Sequence, residues 1–158
     1  MNKRLFLFWG VLVAMVVVVG GSYLIWNKYF KYDLEKVYQE AERRYVEAMT
    51  ADTYGGKTPQ ETLDMFVEAL RAEDIELASK YFMLDENLSR EKWANLLANV
   101  KDRGFLGKMS NDLGNYGDAG DVMEGYYTFS YYNDDGTVGL QMIMRFNSNA
   151  GVWKIESL

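Results

Sequence analysis

The feature that most constrains this chain is a run of 22 residues without a charge, from Leu5 to Trp26 (LFLFWGVLVAMVVVVGGSYLIW). At about 1.5 Å per residue, a helix over this run is about 33 Å long, which is enough to cross the hydrocarbon core of a bilayer. The aromatic ring of Trp26 ends the run, where amphipathic rings favour the headgroup region. The run therefore predicts a transmembrane anchor, residues 1–27, which contacts the lipid bilayer through residues 5–26.

A cleaved signal peptide is the main alternative to an anchor. Its apolar region would be about 7–15 residues long and would end at a small-residue cleavage site. The small residues 20–22 are instead followed by the bulky Tyr23. The tail before the run is short and basic, with Lys3 and Arg4, and a first hydrophobic segment of this kind acts as a signal-anchor. We therefore expect a single-pass protein of the cytoplasmic membrane whose C-terminal domain is extracytoplasmic.

Composition removes several classes of chemistry. The chain has no cysteine and no histidine, so thiolate and imidazole metal sites, thiol nucleophiles and histidine-based triads are excluded. No metal site and no cofactor is predicted. The net charge is −6, and all 23 acidic residues follow the apolar run, as do 15 of the 17 basic ones, so the part after the run carries −8. An acidic chain without a basic block is a poor partner for nucleic acid.

Residues 28–57 predict a helical stalk that ends in a hinge. Apolar residues recur at spacings of four and three, which is a helical stripe: Leu34, Tyr38, Ala41, Tyr45 and Ala48. Such a stripe is typical of a short seam between two copies or of a helix lying against its own domain or the membrane, and two heptads do not separate these alternatives. The glycine pair at residues 55–56 then marks a hinge and a domain boundary.

The third segment, residues 58–158, is predicted to be an α+β domain that folds on its own. Thr58-Pro59-Gln60-Glu61 is a capping box with proline at the first helical position, and it predicts a helix that continues to Arg71. A second helix is expected from Glu73 or Asp74. A third is expected from Ser89 to Gly104, with a buried face of Trp93, Leu96, Leu97 and Val100.

Phe105–Gly125 is rich in glycine, asparagine and aspartate, and it predicts a solvated loop with one irregular strand around Lys108–Leu113. Its acidic residues do not fit the register of a calcium-binding loop, which needs oxygen ligands at alternating positions and a terminal glutamate.

The last third of the chain predicts three antiparallel strands, at residues 122–132, 137–146 and 152–157, joined by polar turns. Alternation assigns one face of the sheet to the core and the other to water. Trp153 lies on the core face and Lys154 on the wet face. We therefore expect Trp153→Ala to remove a large part of the stability and Lys154→Ala to change it by less than about 0.5 kcal/mol. Helices followed by strands favour the α+β class.

Two stretches resemble a known superfamily. Thr58–Phe82 (TPQETLDMFVEALRAEDIELASKYF) resembles the opening of small bacterial domains of the nuclear transport factor two-like, cystatin-like cone superfamily. Gly151-Val152-Trp153-Lys154-Ile155 resembles their ending. The resemblance implies helices first, then a curved antiparallel sheet of three to four strands around a cone-shaped cavity. Members include enzymes, ligand-binding modules and dimeric adaptors, so the fold does not decide the function.

Three functional classes stay open. The first is a membrane-tethered binding or interaction domain whose partner is a ligand, another protein or a second copy. The second is a structural subunit of an envelope complex of the secretion or pilus type. The third, an enzyme of the isomerase or lyase kind with proton-transfer chemistry in the cavity, is disfavoured because no carboxylate converges on the predicted cavity. No catalytic residue is assigned. The candidate cavity residues are Phe66, Leu70, Phe82, Tyr127, Phe129, Tyr131, Met142, Met144 and Trp153.

Overall fold

The structure is a computed structural model that describes residues 3–114, 124–133 and 135–158. The chain divides into two compact units, Met1–Arg44 and Tyr45–Leu158. The second unit, called the head below, contains helices followed by a three-stranded antiparallel open sheet. The predicted α+β class is confirmed.

The first unit is made by helix α1, Lys3–Ala51, whose last seven residues belong to the head. The helix is continuous where the sequence predicted a change from anchor to stalk. Its stretch Trp9–Lys28 has a mean hydropathy of 2.0 and is long and apolar enough to cross a membrane. The hydroxyl of Ser22 donates to the carbonyl of Val18 at 2.7 Å, so this polar side chain is satisfied within the helix itself.

The head continues with four shorter helices and three strands. The helices are α2, Pro59–Arg71; α3, Ile75–Lys80; α4, Glu91–Asp102; and α5, Leu106–Gly114. The strands are β1, Tyr126–Tyr132; β2, Val138–Asn147; and β3, Val152–Ser157, and the sheet order is β1-β2-β3.

Helix α2 begins where the capping box predicted. The hydroxyl of Thr58 accepts from the Glu61 N–H at 3.1 Å, and Pro59 is the first helical residue. The carboxylate of Glu61 accepts from the Lys57 N–H at 2.6 Å rather than from the cap residue itself. The buried face carries Leu63, Phe66, Val67 and Leu70, as expected from the spacing. In α4, by contrast, Leu96 is exposed although the sequence placed it in the core.

Helix α5 corrects the predicted loop with an irregular strand. It buries Leu106, Ser110 and Leu113, which lie on one face at spacings of four and three. The two glycines and the asparagine of this helix have low helix propensity, and nine residues are too few for a clear periodic pattern. The sequence therefore did not predict a helix that tertiary packing stabilises. The remainder of the predicted loop, residues 115–123, lies outside the described residues.

The strands pair in the order that their turns predict. Phe129 lies opposite Met142, Tyr127 opposite Met144, and Met144 opposite Ile155 on the other side. Between the strands, Gly136 and Gly151 take positive φ angles of 79° and 67°, which glycine adopts without strain. Residues 122–123 of the predicted first strand and Asp134 of the first turn lie outside the described residues.

The segment after α1 is packed against β3. Trp153 N–H donates to the Gly56 carbonyl at 2.9 Å, and the Gly56 N–H donates to the Thr62 hydroxyl at 2.8 Å. Gly55 has a φ of 140°, and a Cβ there would overlap the Trp153 carbonyl oxygen. The glycine pair that the sequence indicated as a hinge therefore permits a close approach between two backbones.

Candidate functional site

The predicted cavity residues lie mainly in the hydrophobic core. Seven of the nine belong to one buried cluster: Phe66, Leu70, Phe82, Phe129, Met142, Met144 and Trp153. Tyr127 is half-buried against that cluster, and Tyr131 is 36% exposed. The structure thus brings seven of them together as neighbours and leaves Tyr131 at the edge. Their binding role stays a prediction.

These core side chains pack directly on one another. The ring of Phe82 lies edge-on to Phe66 at 5.3 Å between centroids and stacks on Trp93 at 4.2 Å. Tyr127 and Phe129 meet edge to face at 4.8 Å. Such ring pairs stabilise a core by about 0.5–1.5 kcal/mol beyond the area that they bury. These ring contacts are part of the hydrophobic core between the helices and the sheet.

An apolar recess lies beside this core, where α4, α5 and β2 meet. It has a volume of about 330 Å³ and is lined by Val100, Phe105, Lys108, Met109, Asp112, Leu113, Leu140 and Leu158. None of the nine predicted cavity residues lines it. Leu140 lies on the core-facing parity of β2, together with Met142 and Met144, but at a position further toward the hairpin turn.

The rim of the apolar recess is open to water. Phe105 and Leu140 are each 56% exposed, and Leu158 is 38% exposed. Lys108 and Asp112, one helical turn apart on α5, form an ion pair at 2.6 Å. This hydrogen bond with the carboxylate raises the pKa of Lys108. The recess therefore offers large apolar side chains beside one neutralised pair of charges.

A second recess of about 310 Å³ is polar and lies between α2 and α5. Asp64, Glu68 and Arg71 line it together with Gln60, whose amide donates to Asp64 at 2.8 Å. Among the described residues, no group of three or more carboxylates is placed to hold a metal ion. This recess has the character of a solvated helix face.

The most unusual polar feature of the head is a buried cluster of three charges, Asp52, Arg90 and Lys154. The Lys154 side chain is 0% exposed, and its ammonium donates to Asp52 Oδ1 at 2.7 Å. It also donates to the carbonyls of Tyr54 at 2.7 Å and Lys80 at 2.5 Å. The guanidinium of Arg90 pairs with Asp52 Oδ2 and donates through Nε to the Phe82 carbonyl at 2.6 Å.

The placement of Lys154 corrects a sequence expectation. The alternation was correct, because Lys154 lies opposite Arg145 and points away from the core face that holds Ile155. The expectation of a wet face was wrong at this position, since the segment Asp52–Tyr54 covers that side of β3. Sequence reasoning also missed Asp52 and Arg90. The chain offers no local signal for them, because the three charges lie 38 to 102 residues apart.

Burial lowers the pKa of Lys154 to about 8, against an opposing effect of its hydrogen bond with Asp52. Burial also lowers the pKa of the Arg90 guanidinium, while Asp52 raises it. A chemically activated lysine needs access to a substrate, and the ammonium of Lys154 is enclosed with protein acceptors on its three N–H groups. The cluster is therefore suited to hold segments together.

A second polar contact joins the same segment to the sheet. The side-chain amide of Asn147 is buried and donates to the Met49 carbonyl at 2.8 Å, in the last turn of α1. Its oxygen accepts from the Asn149 N–H at 3.1 Å in the turn before β3. Because Met49 is itself buried, the end of α1 is part of the head's interior.

Comparison of the chain with protein-family models, with curated proteins and with solved structures finds no match.

Proposed function

We propose that this chain is a single-pass membrane protein that presents a small α+β binding or interaction domain outside the cytoplasm. The apolar helix Trp9–Lys28 supports the membrane part, because its length and hydropathy fit a bilayer core. The basic residues before it, Lys3 and Arg4, support an extracytoplasmic head. The likeness to the cone superfamily is part of this proposal, since binding modules are among the members of that superfamily.

The single observation that carries the binding role is the apolar recess. Soluble domains rarely leave a contiguous group of large apolar side chains in water, and such patches mark sites of interaction. Phe105, Leu140 and Leu158 form such a group around a concave surface. Its volume of about 330 Å³ lies at the lower end of the range for ligand clefts.

The openness of the rim favours a protein partner over a small molecule. Ligand clefts bury about 70–90% of a small molecule, which requires enclosing walls. Phe105 and Leu140 are instead more than half exposed, so a bound group would keep contact with water on one side. One or two large apolar side chains of a partner would fill the recess and cover this rim. Met109 adds an adaptable wall, because methionine fills irregular gaps.

A structural subunit of an envelope complex is the second candidate. The observation that favours it is the continuous helix α1, which runs from Lys3 to Ala51 without a break after the apolar stretch. Residues 34–44 of this helix are exposed, which leaves them available to other subunits. In that case, the partner at the apolar recess would be another subunit of the complex.

The test uses site-specific photocrosslinking in intact cells. A photoreactive phenylalanine analogue replaces Phe105 at the rim, and a control places it at Tyr132, which is 52% exposed and does not line the recess. We expect a discrete adduct from position 105 and none from position 132. Adding Leu140→Asp should abolish the adduct, whereas Ile143→Asp, elsewhere on the same strand, should leave it intact. Equal adducts from both positions, or an adduct insensitive to Leu140→Asp, would refute a binding role for the recess.

A further inference from the structure

We propose that Asn87 is an acceptor for an N-linked oligosaccharide on the exported head. The inference rests on the extracytoplasmic placement of the head in the proposed function, because this modification belongs to surface loops of exported proteins. It adds a covalent modification at a place separate from the apolar recess. The site consists of three successive residues, Asn87, Leu88 and Ser89, in the segment between α3 and α4.

The three residues have the sequence that this modification requires. The acceptor motif is an asparagine followed two residues later by serine or threonine, with any residue except proline between them. Asn87-Leu88-Ser89 has this form, and no other asparagine of the chain is followed in this way. So short a motif indicates a site only where the structure exposes it, because the sugar is bulky and has to lie in water.

The structure places Asn87 where an enzyme can reach it. Asp85, Glu86 and Asn87 are all exposed, in a stretch without helix or strand before α4. The backbone N–H of Asn87 donates to the Asp85 carboxylate at 2.8 Å. Within the described part of the chain, the side-chain amide of Asn87 has no hydrogen-bond partner. A sugar on this amide nitrogen therefore replaces no contact of the fold.

Ser89 provides the hydroxyl that the motif requires. Its oxygen accepts from the Glu91 N–H at 3.1 Å at the start of α4, so the hydroxyl proton is not used in that bond. The Ser89 N–H donates to the same oxygen of Asp85 as Asn87 does, at 2.9 Å. Asp85 thus holds the backbone of Asn87 and Ser89 in one turn, while the amide and the hydroxyl proton stay available to a transferase.

The reaction joins the Asn87 amide nitrogen to the anomeric carbon of an oligosaccharide that is carried on a lipid diphosphate. The N–C bond forms as the bond between that carbon and the diphosphate oxygen breaks. The lipid diphosphate leaves with the electron pair, and the amide proton passes to a base of the transferase. The step consumes no oxidant or reductant, so the lipid-linked donor and the transferase are the partners that it needs.

A sugar at this position leaves the apolar recess open. Asn87 precedes the first turn of α4, whereas the recess contacts this helix in its last turn, at Val100. The 12 residues of α4, at about 1.5 Å each, separate the two places by about 18 Å of helix. The hydrated sugar would shield the surface around the loop and leave the opposite end of α4 to the partner of the recess.

The test uses the full chain isolated from the membranes of the cells that naturally produce it. Tandem mass spectrometry of the proteolytic peptide containing Asn87 measures the added mass and detects sugar fragment ions. We expect an oligosaccharide on this peptide and slower migration of the chain on denaturing gels. Asn87→Gln, expressed in the same cells, should abolish both signals. Asn99→Gln, at an exposed asparagine outside the motif, should leave both unchanged.

A second pair of variants tests the motif rather than the asparagine alone. Ser89→Ala should abolish the modification, whereas Ser89→Thr should retain it, because threonine also carries a hydroxyl. A modification that persists in Ser89→Ala would overturn the proposal, since the hydroxyl would then play no part.

The sidedness of the head is measured in parallel with protease added to spheroplasts. An unmodified Asn87 peptide from protein whose head is digested would overturn the glycosylation site and leave the proposed function in place. Protection of the head from the protease would instead overturn its extracytoplasmic placement, so the two failures are distinguishable.

Discussion

The buried charge cluster and the apolar recess are opposites within one small head. At β3, a lysine on the face that alternation assigns to water is fully buried with Asp52 and Arg90. On β2, a leucine on the face that alternation assigns to the core is more than half exposed at position 140. Both side chains point where the strand period directs them. The difference lies in what covers each face.

Burial at these two places was decided by the elements that lie over each strand, and not by side-chain polarity. The segment that follows α1 lies over Lys154 and supplies a carboxylate and a carbonyl to it. Leu140 lies beside α5, and the side chains there leave a recess in place of a packed contact. A buried charge must be paired within the fold, whereas an exposed apolar side chain is covered only when another molecule binds to it.

The largest loss of stability is expected when the segment that covers Lys154, between α1 and α2, is removed. A soluble fragment of residues 58–158 lacks the buried Met49, the Asp52 carboxylate that pairs with Arg90 and Lys154, and the Gly56 carbonyl that accepts from the Trp153 N–H. Loss of a buried methionine side chain alone costs about 2–5 kcal/mol, a large fraction of the roughly 5–15 kcal/mol that stabilises a small domain. We therefore expect residues 58–158 to lack a cooperative thermal transition, whereas residues 45–158 melt cooperatively by circular dichroism.

This outcome would replace the sequence-based expectation that the domain folds from Thr58 onward. A cooperative melt of both fragments with similar midpoints would show that the cluster contributes little.

The second expected effect distinguishes the contributions of Asp52 and Lys154 to the stability of the head. Asp52→Ala removes the partner of two buried cations and should lower the free energy of unfolding by about 3–5 kcal/mol. Lys154→Met should cost less, about 1–3 kcal/mol, because Asp52 keeps Arg90 as a partner although its hydrogen bond with Lys154 and those to two carbonyls are lost. Urea melts of residues 45–158 measure both values.

Asp102→Ala is the control for Asp52→Ala, since Asp102 ends α4 on the surface and should change stability by less than about 0.5 kcal/mol. If Lys154→Met were the more damaging change, the two cations would not share Asp52 as the structure indicates.

The third expected effect is a rise in the free energy of unfolding of the head with pH. The pKa of Lys154 is about 8 in the folded head and near its ordinary value of 10.5 in the unfolded chain. Between these values, the unfolded chain binds more protons, so the free energy of unfolding rises with pH. Relative to Lys154→Met, we expect a gain of about 2 kcal/mol between pH 8 and pH 10.

The gain levels off as the pH approaches 10.5, because the unfolded lysine then loses its proton as well and the two states bind protons equally. A flat difference between the parent and Lys154→Met from pH 8 to pH 10 would contradict a buried, charged lysine.

The smallest effect is expected at the apolar recess. Leu140→Ala should change the free energy of unfolding by less than about 0.5 kcal/mol, because the side chain is largely in water. Met142→Ala, two residues along the same face of β2, should cost about 2–5 kcal/mol, since Met142 is fully buried. Urea melts of the two variants compare two positions on the same strand. If Leu140→Ala cost as much as Met142→Ala, the recess would be part of the core.

Much of the head could be predicted from local patterns. The start of α2 followed from its capping box, and the polar turns gave the order of the strands, because cap and turn chemistry acts over a few residues. The core side chains of α2 and of Met142, Met144 and Ile155 followed from periodicity. Helix α5 could not be predicted, since its two glycines and Asn111 disfavour a helix and only packing of Leu106 and Leu113 supports it.

The sequence by itself determined the apolar run near the N-terminus, the α+β class and the direction in which each strand's side chains point. These features depend on residues within one element, where spacing and charge are sufficient. Only the tertiary structure decided which of those faces are covered. The charge cluster joins Asp52, Arg90 and Lys154, and the apolar recess joins Phe105, Leu140 and Leu158, all distant in sequence. Burial at such places depends on how elements meet, and no local pattern carries that information.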